Sequence, residues 1–238
     1  MKKLLINILC GFIPGRNRRN RIRMELNNPI RKWTRFAKSF SDKKYPNVKY
    51  TYGFRCVNFV VTIDDKWVFK FPLKTDGWAI AEREQRIVDA LRAISPIKIP
   101  EMEVLGFNGM AVRKYECIHG GVGFHHLDKK TQNKNADIIA KQLARFLYVI
   151  GNADPIEIRD LKKYKSDKPS IMHGWNQNDL WDNFIMDPKT FKIIGIIDWE
   201  DAGFNDFYDC FTNGTKNNVV KDALLREYLK FYSQKSGK

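Results

Sequence analysis

The sequence is poor in cysteine, histidine and acid. Its 238 residues hold four cysteines and four histidines. Cys10, Cys56, Cys117 and Cys210 stand far apart, with no C-x-x-C pair and no Cys/His spacing of a zinc site, so a disulfide scaffold and structural zinc are excluded. A reducing compartment is the expectation. Long apolar runs are missing as well. The one near the start, Leu4 to Ile13, is half the ~20 residues that a spanning helix requires. No A-x-A type of cleavage site accompanies it, and Arg16, Arg18, Arg19, Arg21 and Arg23 follow, so no cleaved signal is expected. Hydrolase signatures such as G-x-S-x-G are missing. His125 and His126 are adjacent, diverge on any regular element and have no third ligand near them, so they read as loop residues.

What is present is a core and an excess of positive charge. Hydrophobic residues make up 43% and aromatics 13%, which excludes disorder for the whole chain. Lys and Arg number 42 against 27 acids, a formal charge of +15. Residues 1–44 carry 13 of these cations and only Glu25 and Asp42 in opposition, a net +11. The sequence therefore reads as a basic arm, 1–44, joined to a nearly balanced globular body.

In the arm, Leu4, Leu5, Ile8, Leu9 and Phe12 recur at helical spacing before Pro14-Gly15. An apolar stripe followed by arginines suits an anionic membrane interface, and equally suits a helix packed on its own domain. Trp33 and Phe36 among Arg31, Lys32, Arg35 and Lys38 raise nucleic acid as a third reading, without the frame of a stacking module.

From Val48 the texture is that of strands: Val48-Tyr52, Val57-Ile63 and Trp67-Phe71 form a predicted meander. Asp76 is placed to cap a helix with Ile80, Ile87, Val88 and Leu91 on one face. Glu84 shares that face, where a carboxylate is unfavourable unless a cation meets it. Val104-Phe107 and Met110-Tyr115 follow as strands around an Asn108-Gly109 hairpin turn. Helices are expected around Ile138–Ile150 and Val219–Tyr232. The chemistry concentrates in 172–203, where two apolar strands flank a turn and each has acids and amides at one end. Asp179, Asn183 and Asp198 offer the hard oxygen ligands and the base that Mg²⁺-dependent phosphoryl transfer uses.

These residues carry a resemblance. Ile197-Asp198-Trp199-Glu200-Asp201-Ala202-Gly203-Phe204-Asn205-Asp206-Phe207-Tyr208-Asp209 is similar to the metal-binding stretch of the aminoglycoside phosphotransferase and choline kinase group. Trp67-Val68-Phe69-Lys70-Phe71-Pro72 resembles its nucleotide-lysine strand, and Glu82-Arg83-Glu84 the helix that supplies the lysine's partner. The resemblance runs in order over roughly residues 48–212.

It implies an α+β, two-lobed protein-kinase-like fold: a small N-terminal antiparallel sheet with one helix over 45–118, and a mainly helical C-terminal lobe over 119–238. Lys70 would bind the α/β-phosphates of ATP and pair with Glu84. The Glu116–Ile118 backbone would meet adenine, Asn183 and Asp198 would hold Mg²⁺, and Asp209 would orient the loop. One glycine, in Tyr52-Gly53-Phe54-Arg55-Cys56-Val57-Asn58, represents the phosphate-covering loop, where Arg55 is either a phosphate contact or a solvated hairpin tip.

The catalytic loop departs from the H-x-D-x-x-x-x-N pattern. Five positions before Asn183 stands Asn178, and four before it stands Asp179; Gln177 or Asn176 takes the histidine place. Either the loop has lost a residue, or His173-Gly174 is the family opening and the loop has grown after it. Asp179 is assigned as the base because an amide cannot accept the hydroxyl proton.

The reading is a Mg·ATP-dependent kinase for a hydroxyl of a small molecule or sugar. The acceptor site is placed near Trp181, Asp201 and Tyr208. A compact C-terminal region and the arm favour a lipid-linked, lipopolysaccharide or capsule sugar as acceptor, reached from the cytoplasmic face of the inner membrane. A nucleotide-binding pseudokinase held on a membrane or partner is the alternative, and nucleic acid ranks last.

Overall fold

The computed structural model describes residues 6, 10, 13–44, 46–55, 57–74, 76–162, 173–206 and 216–235. The apolar stripe Leu4, Leu5, Ile8, Leu9 and Phe12 lies outside them, as do Cys56, Phe207, Tyr208, Asp209 and Cys210. Ile6 and Cys10 are described, and both are buried. The chain divides into two compact units, Met1–Gly77 with Leu105–Cys117, and Trp78–Val104 with Ile118–Lys238. Among the described residues no helix is long and apolar enough to cross a membrane.

The first unit opens with α1 (Arg16–Asn27) and α2 (Ile30–Lys38), followed by β1 (Tyr50–Arg55), β2 (Asn58–Ile63) and β3 (Trp67–Pro72). The last two strands of its sheet are β4 (Met102–Phe107), whose first residues belong to the second unit, and β5 (Met110–Glu116). The sheet order is β1-β2-β3-β5-β4. Antiparallel pairing joins β1 to β2, β2 to β3 and β3 to β5. Asn108 and Gly109 both take positive φ, 50° and 80°, as a two-residue turn of the type I′ kind demands. Phe59, Val61, Phe69 and Phe71 are fully buried, as the alternation of β2 and β3 requires when one sheet face is covered.

The cover is α2. Trp33 and Ala37, four residues apart, are 2% and 0% exposed and join the cluster of Phe59, Val61, Phe69, Phe71 and Val112. The Trp33 ring stacks on Phe71 at 5.4 Å and leans on Phe59 at 5.3 Å. Phe36 stacks on Phe107 at 4.3 Å. The aromatics that stood among cations in the sequence are thus part of the core. The arginine-rich α1, by contrast, buries no residue.

The second unit contains α3 (Trp78–Arg92), which starts after Gly77 at φ 77°, two residues beyond the expected Asp76 cap. A side chain at Gly77 would meet Pro72 Cγ at 3.0 Å, so the entry to this helix requires glycine on both counts. α3 buries Ala81, Glu84, Ile87, Val88 and Leu91. Arg86 ties it to the short 3₁₀ helix Ile156–Leu161 through both oxygens of Asp160 and the Glu157 carbonyl. Farther along are β6 (Val122–Gly123), α4 (Lys129–Lys134), α5 (Ala136–Gly151), β7 (His173–Asn176), α6 (Leu180–Asn183), β8 (Phe184–Met186), β9 (Ile193–Ile196), β10 (Gly203–Asp206) and α7 (Asn218–Lys235).

Two small sheets, β6-β8-β9 and β10-β7, frame the loops that carry the acids. β7 approaches the end of α5 so closely that a Cβ on Gly174 would lie 2.1 Å from the Gly151 carbonyl oxygen. Gly174 therefore sets the depth at which β7 delivers the following loop.

Candidate active site

Asp179 begins α6 from non-helical backbone, and Asn183 ends it. One helical turn places residues four apart on the same face. Asn183 Nδ2 accordingly donates to the Asp179 carbonyl at 2.8 Å and to its carboxylate Oδ2 at 3.1 Å. The amide nitrogen faces Asp179, and so the amide oxygen Oδ1 is turned the other way as a hard donor.

Asp198 follows β9, with φ 61°. Left-handed backbone at a non-glycine residue costs energy and persists where its surroundings hold it. Here the Ile197 N–H donates to the Asn183 carbonyl at 2.8 Å, and Gln177 Nε2 donates to the carbonyls of Ile197 and Asp198. The same Gln177 accepts the Asp179 N–H on Oε1 at 2.8 Å. One buried side chain, 1% exposed, thereby fastens the loop of Asp179 to the loop of Asp198.

Asn178 sits outside this clasp. It has φ 70°, a conformation asparagine tolerates. Its N–H goes to Asn176 Oδ1 at 2.8 Å and its side chain donates to the Asp201 carbonyl at 2.6 Å. Arg83 of α3 donates to the Glu200 and Ala202 carbonyls, which holds the stretch after Asp198 from its other side.

The electrostatics single out Asp179. Burial pushes its carboxyl above the ordinary range, Asp182 adds to the rise, and Asp198 and Asp201 contribute further. The hydrogen bond from Asn183 opposes these effects. Asp179 and Asp198 are therefore within electrostatic reach of one another, and a general base is improved by such a rise. Among the described residues no group of three or more His, Cys, Asp or Glu side chains is arranged as a metal cage. An amide oxygen and a carboxylate fit Mg²⁺ of the kind that takes one or two protein ligands plus substrate phosphates.

Asp179, Asn183 and Asp198 are thus brought together in the second unit. Glu84 is in the same unit, fully buried on α3 as its position among apolar residues predicted. Ile118 also lies there, packed against Gly195, where an added Cβ would come within 2.1 Å of Ile118 Cδ1. Lys70 lies in β3 of the first unit, opposite Val60 and Arg113, with Nζ 5.3 Å from the Tyr115 ring centre. Glu116 ends β5, paired with Trp67. Sequence reasoning missed the two braces. Gln177 was legible only as an occupant of the histidine place, and Arg83 only as the middle of Glu82-Arg83-Glu84.

If Asp179 and Asp198 act together in catalysis, Gln177→Ala should lower kcat about tenfold with a smaller change in KM, because the two loops that Gln177 fastens lose alignment before binding is lost. Gln177→Glu, which keeps the acceptor but not the donor, should not rescue it. Steady-state kinetics with a melting curve for each variant check this.

No family model and no curated protein sequence matches the chain. Solved structures do. The GDP complex of wild-type aminoglycoside 2'-phosphotransferase-IIIa superposes with a TM-score of 0.66 at 15% identity, over 84% of this chain and 83% of that one. The streptomycin–ATP ternary complex of the aminoglycoside phosphotransferase APH(2")-IIa gives 0.61 at 14% identity, over 87% and 84%. Macrolide 2'-phosphotransferase MphH from Brachybacterium faecium gives 0.63 at 12% identity, over 84% and 82%. The chain therefore has the protein-kinase-like fold, in the form taken by the aminoglycoside phosphotransferases. This is the fold class that the motif order in the sequence implied.

Proposed function

We propose that the protein is a Mg·ATP-dependent phosphotransferase that phosphorylates a hydroxyl of a small molecule or sugar. The observation that carries this reading is the clasp of Gln177, which fastens the loop of Asp179, with its raised carboxyl, to the left-handed loop of Asp198. The fold supports it, because solved proteins of the same fold are phosphotransferases with GDP or ATP bound.

In this reading Asp179 accepts the proton of the attacking hydroxyl, and Asn183 holds its carboxylate in place. Asn183 Oδ1 and Asp198 would hold Mg²⁺, which would neutralise charge on the transferring phosphates. Lys70 is assigned to the α/β-phosphates, Glu84 to Lys70, and the Glu116 and Ile118 backbone to adenine, all by the resemblance in 48–212. The first lobe is assigned to 45–118 and the second to 119–238.

For the acceptor we propose a lipid-linked, lipopolysaccharide or capsule sugar. One feature supports it: the arginine-rich α1 buries no residue, which leaves cations for an anionic surface. The site of action is then the cytoplasmic face of the inner membrane.

Mg·ATP should raise the melting temperature by mass action. Transfer of labelled phosphate to an acceptor pool should be lost in Asp198→Asn. Stabilisation without transfer in the parent chain points to the pseudokinase reading, which the amide at Asn178 and the altered loop favour. No stabilisation by any nucleotide defeats both.

A further inference from the structure

The first unit holds a groove of about 830 Å³ between α2 and β1. Its α2 wall presents Arg31, Arg35 and Lys38, and Lys43 stands at one end. Residues 31, 35 and 38 share one helical face, and at 1.5 Å per residue their charges span ~10 Å of axis. The opposite wall is Tyr50 and Tyr52, alternate residues of β1 on one face of the strand. Their rings lie 6.3 Å apart and nearly parallel, and both are more than two-fifths exposed. Lys38 Nζ stands 3.7 Å from the Tyr50 ring centre, so one cation already borders the aromatic wall.

No carboxylate is among its described lining residues, and Asp64, 3.2 Å from Lys43, is the acid nearest its end in an ion pair. Asp64 is held below the usual carboxylate range, first by the Ser41 hydroxyl and also by the Lys49 N–H and Lys43, so it stays charged. Thr34, on the α2 side, is 8% exposed, and its hydroxyl has no hydrogen-bond partner among the described residues.

We propose that this groove binds a phosphate-bearing saccharide. Guanidinium groups match phosphate oxygens in bidentate fashion. The tyrosine faces give an apolar platform for the C–H face of a sugar ring. The cation spacing suits two phosphate groups on a ligand of one or two rings, and the volume is that of a small-molecule site. An adjoining groove shares Tyr52 and adds Arg21 and Arg55, so a nucleic-acid strand is the competing ligand to test. The proposal goes beyond the phosphotransferase reading and stands on the first unit alone.

A phosphorylated glycolipid headgroup and a soluble sugar bisphosphate share this chemistry, and two probes separate them. Phosphatidylcholine vesicles carrying lipid A present the first, and fructose 1,6-bisphosphate the second. The full chain is compared with Arg31→Gln/Arg35→Gln and with Lys129→Gln/Lys130→Gln, which removes the same charge from exposed α4 positions in the other unit. Affinity for at least one probe should fall tenfold or more in the groove variant and stay within twofold in the α4 variant. Vesicle binding alone identifies the surface-bound source, and bisphosphate binding alone the soluble one.

The inference is overturned if neither probe binds, or if both variants lose affinity equally. It is also overturned if oligothymidylate displaces both probes at lower concentration, which assigns the groove to nucleic acid. Mg·ATP stabilisation, read on the same samples, reports the nucleotide site separately.

Discussion

Asp179→Asn is expected to slow phosphoryl transfer about 10²–10⁴-fold, the range a positioned general base supplies. That corresponds to about 2.7–5.4 kcal/mol of transition-state stabilisation. The substitution is nearly isosteric, and an amide oxygen still accepts from Asn183 Nδ2, so the loop should keep its shape. Stabilisation by Mg·ATP should therefore survive while turnover does not.

The same group sets a pH dependence. As the proposed base, Asp179 would act only when ionised, and its carboxyl is raised above the ordinary aspartate value. Activity should thus fall, as pH is lowered, at a pH higher than an unperturbed aspartate would give. After burial, Asp182 is the next contributor to that rise, so Asp182→Asn should move the acid limb of the kcat/KM profile to lower pH. A limb that stays in place in Asp182→Asn would assign it to another group. An Asp179→Asn enzyme with full turnover would remove Asp179 from the mechanism.

Trp33→Ala should destabilise the protein by about 3–5 kcal/mol, the usual effect of removing a large buried aromatic. Trp33 is 2% exposed and touches Phe59 and Phe71, which are fully buried in the sheet. Its loss would open a cavity between α2 and the strands. Arg31→Gln and Arg35→Gln, exposed on the same helix, should change stability by no more than about 0.5 kcal/mol. Chemical denaturation of the three variants measures the contrast. Equal midpoints for Trp33→Ala and the parent would mean that α2 is dispensable to the first unit.

The expected strands of the meander and the hairpin at Asn108-Gly109 are present, with ends shifted by up to three residues. They were legible because β-branched and aromatic residues alternate there and a positive-φ turn has few alternatives in sequence. Glu84 was legible for a similar reason: a carboxylate at helical spacing among Ile87, Val88 and Leu91 has to be buried. The role of α2 was not. Its Trp33 and Ala37 repeat is short and stands among four cations, Arg31, Lys32, Arg35 and Lys38, so charge hides the apolar face until a sheet is there to receive it.

The candidate site divides in the same way. Residue types and chain order were enough to pick out Asp179, Asn183 and Asp198, since hard oxygen donors after apolar strands are few in this chain. They left Asn178 and Asp179 both open at the base position. They also gave no sign of Gln177 as a brace, since its hydrogen bonds run to backbone groups two, twenty and twenty-one positions away. Local patterns determine which segments become strand or helix and which acids lie at their ends. Which side chain faces which depends on backbone carbonyls and N–H groups that every residue has, and only folding brings those into range.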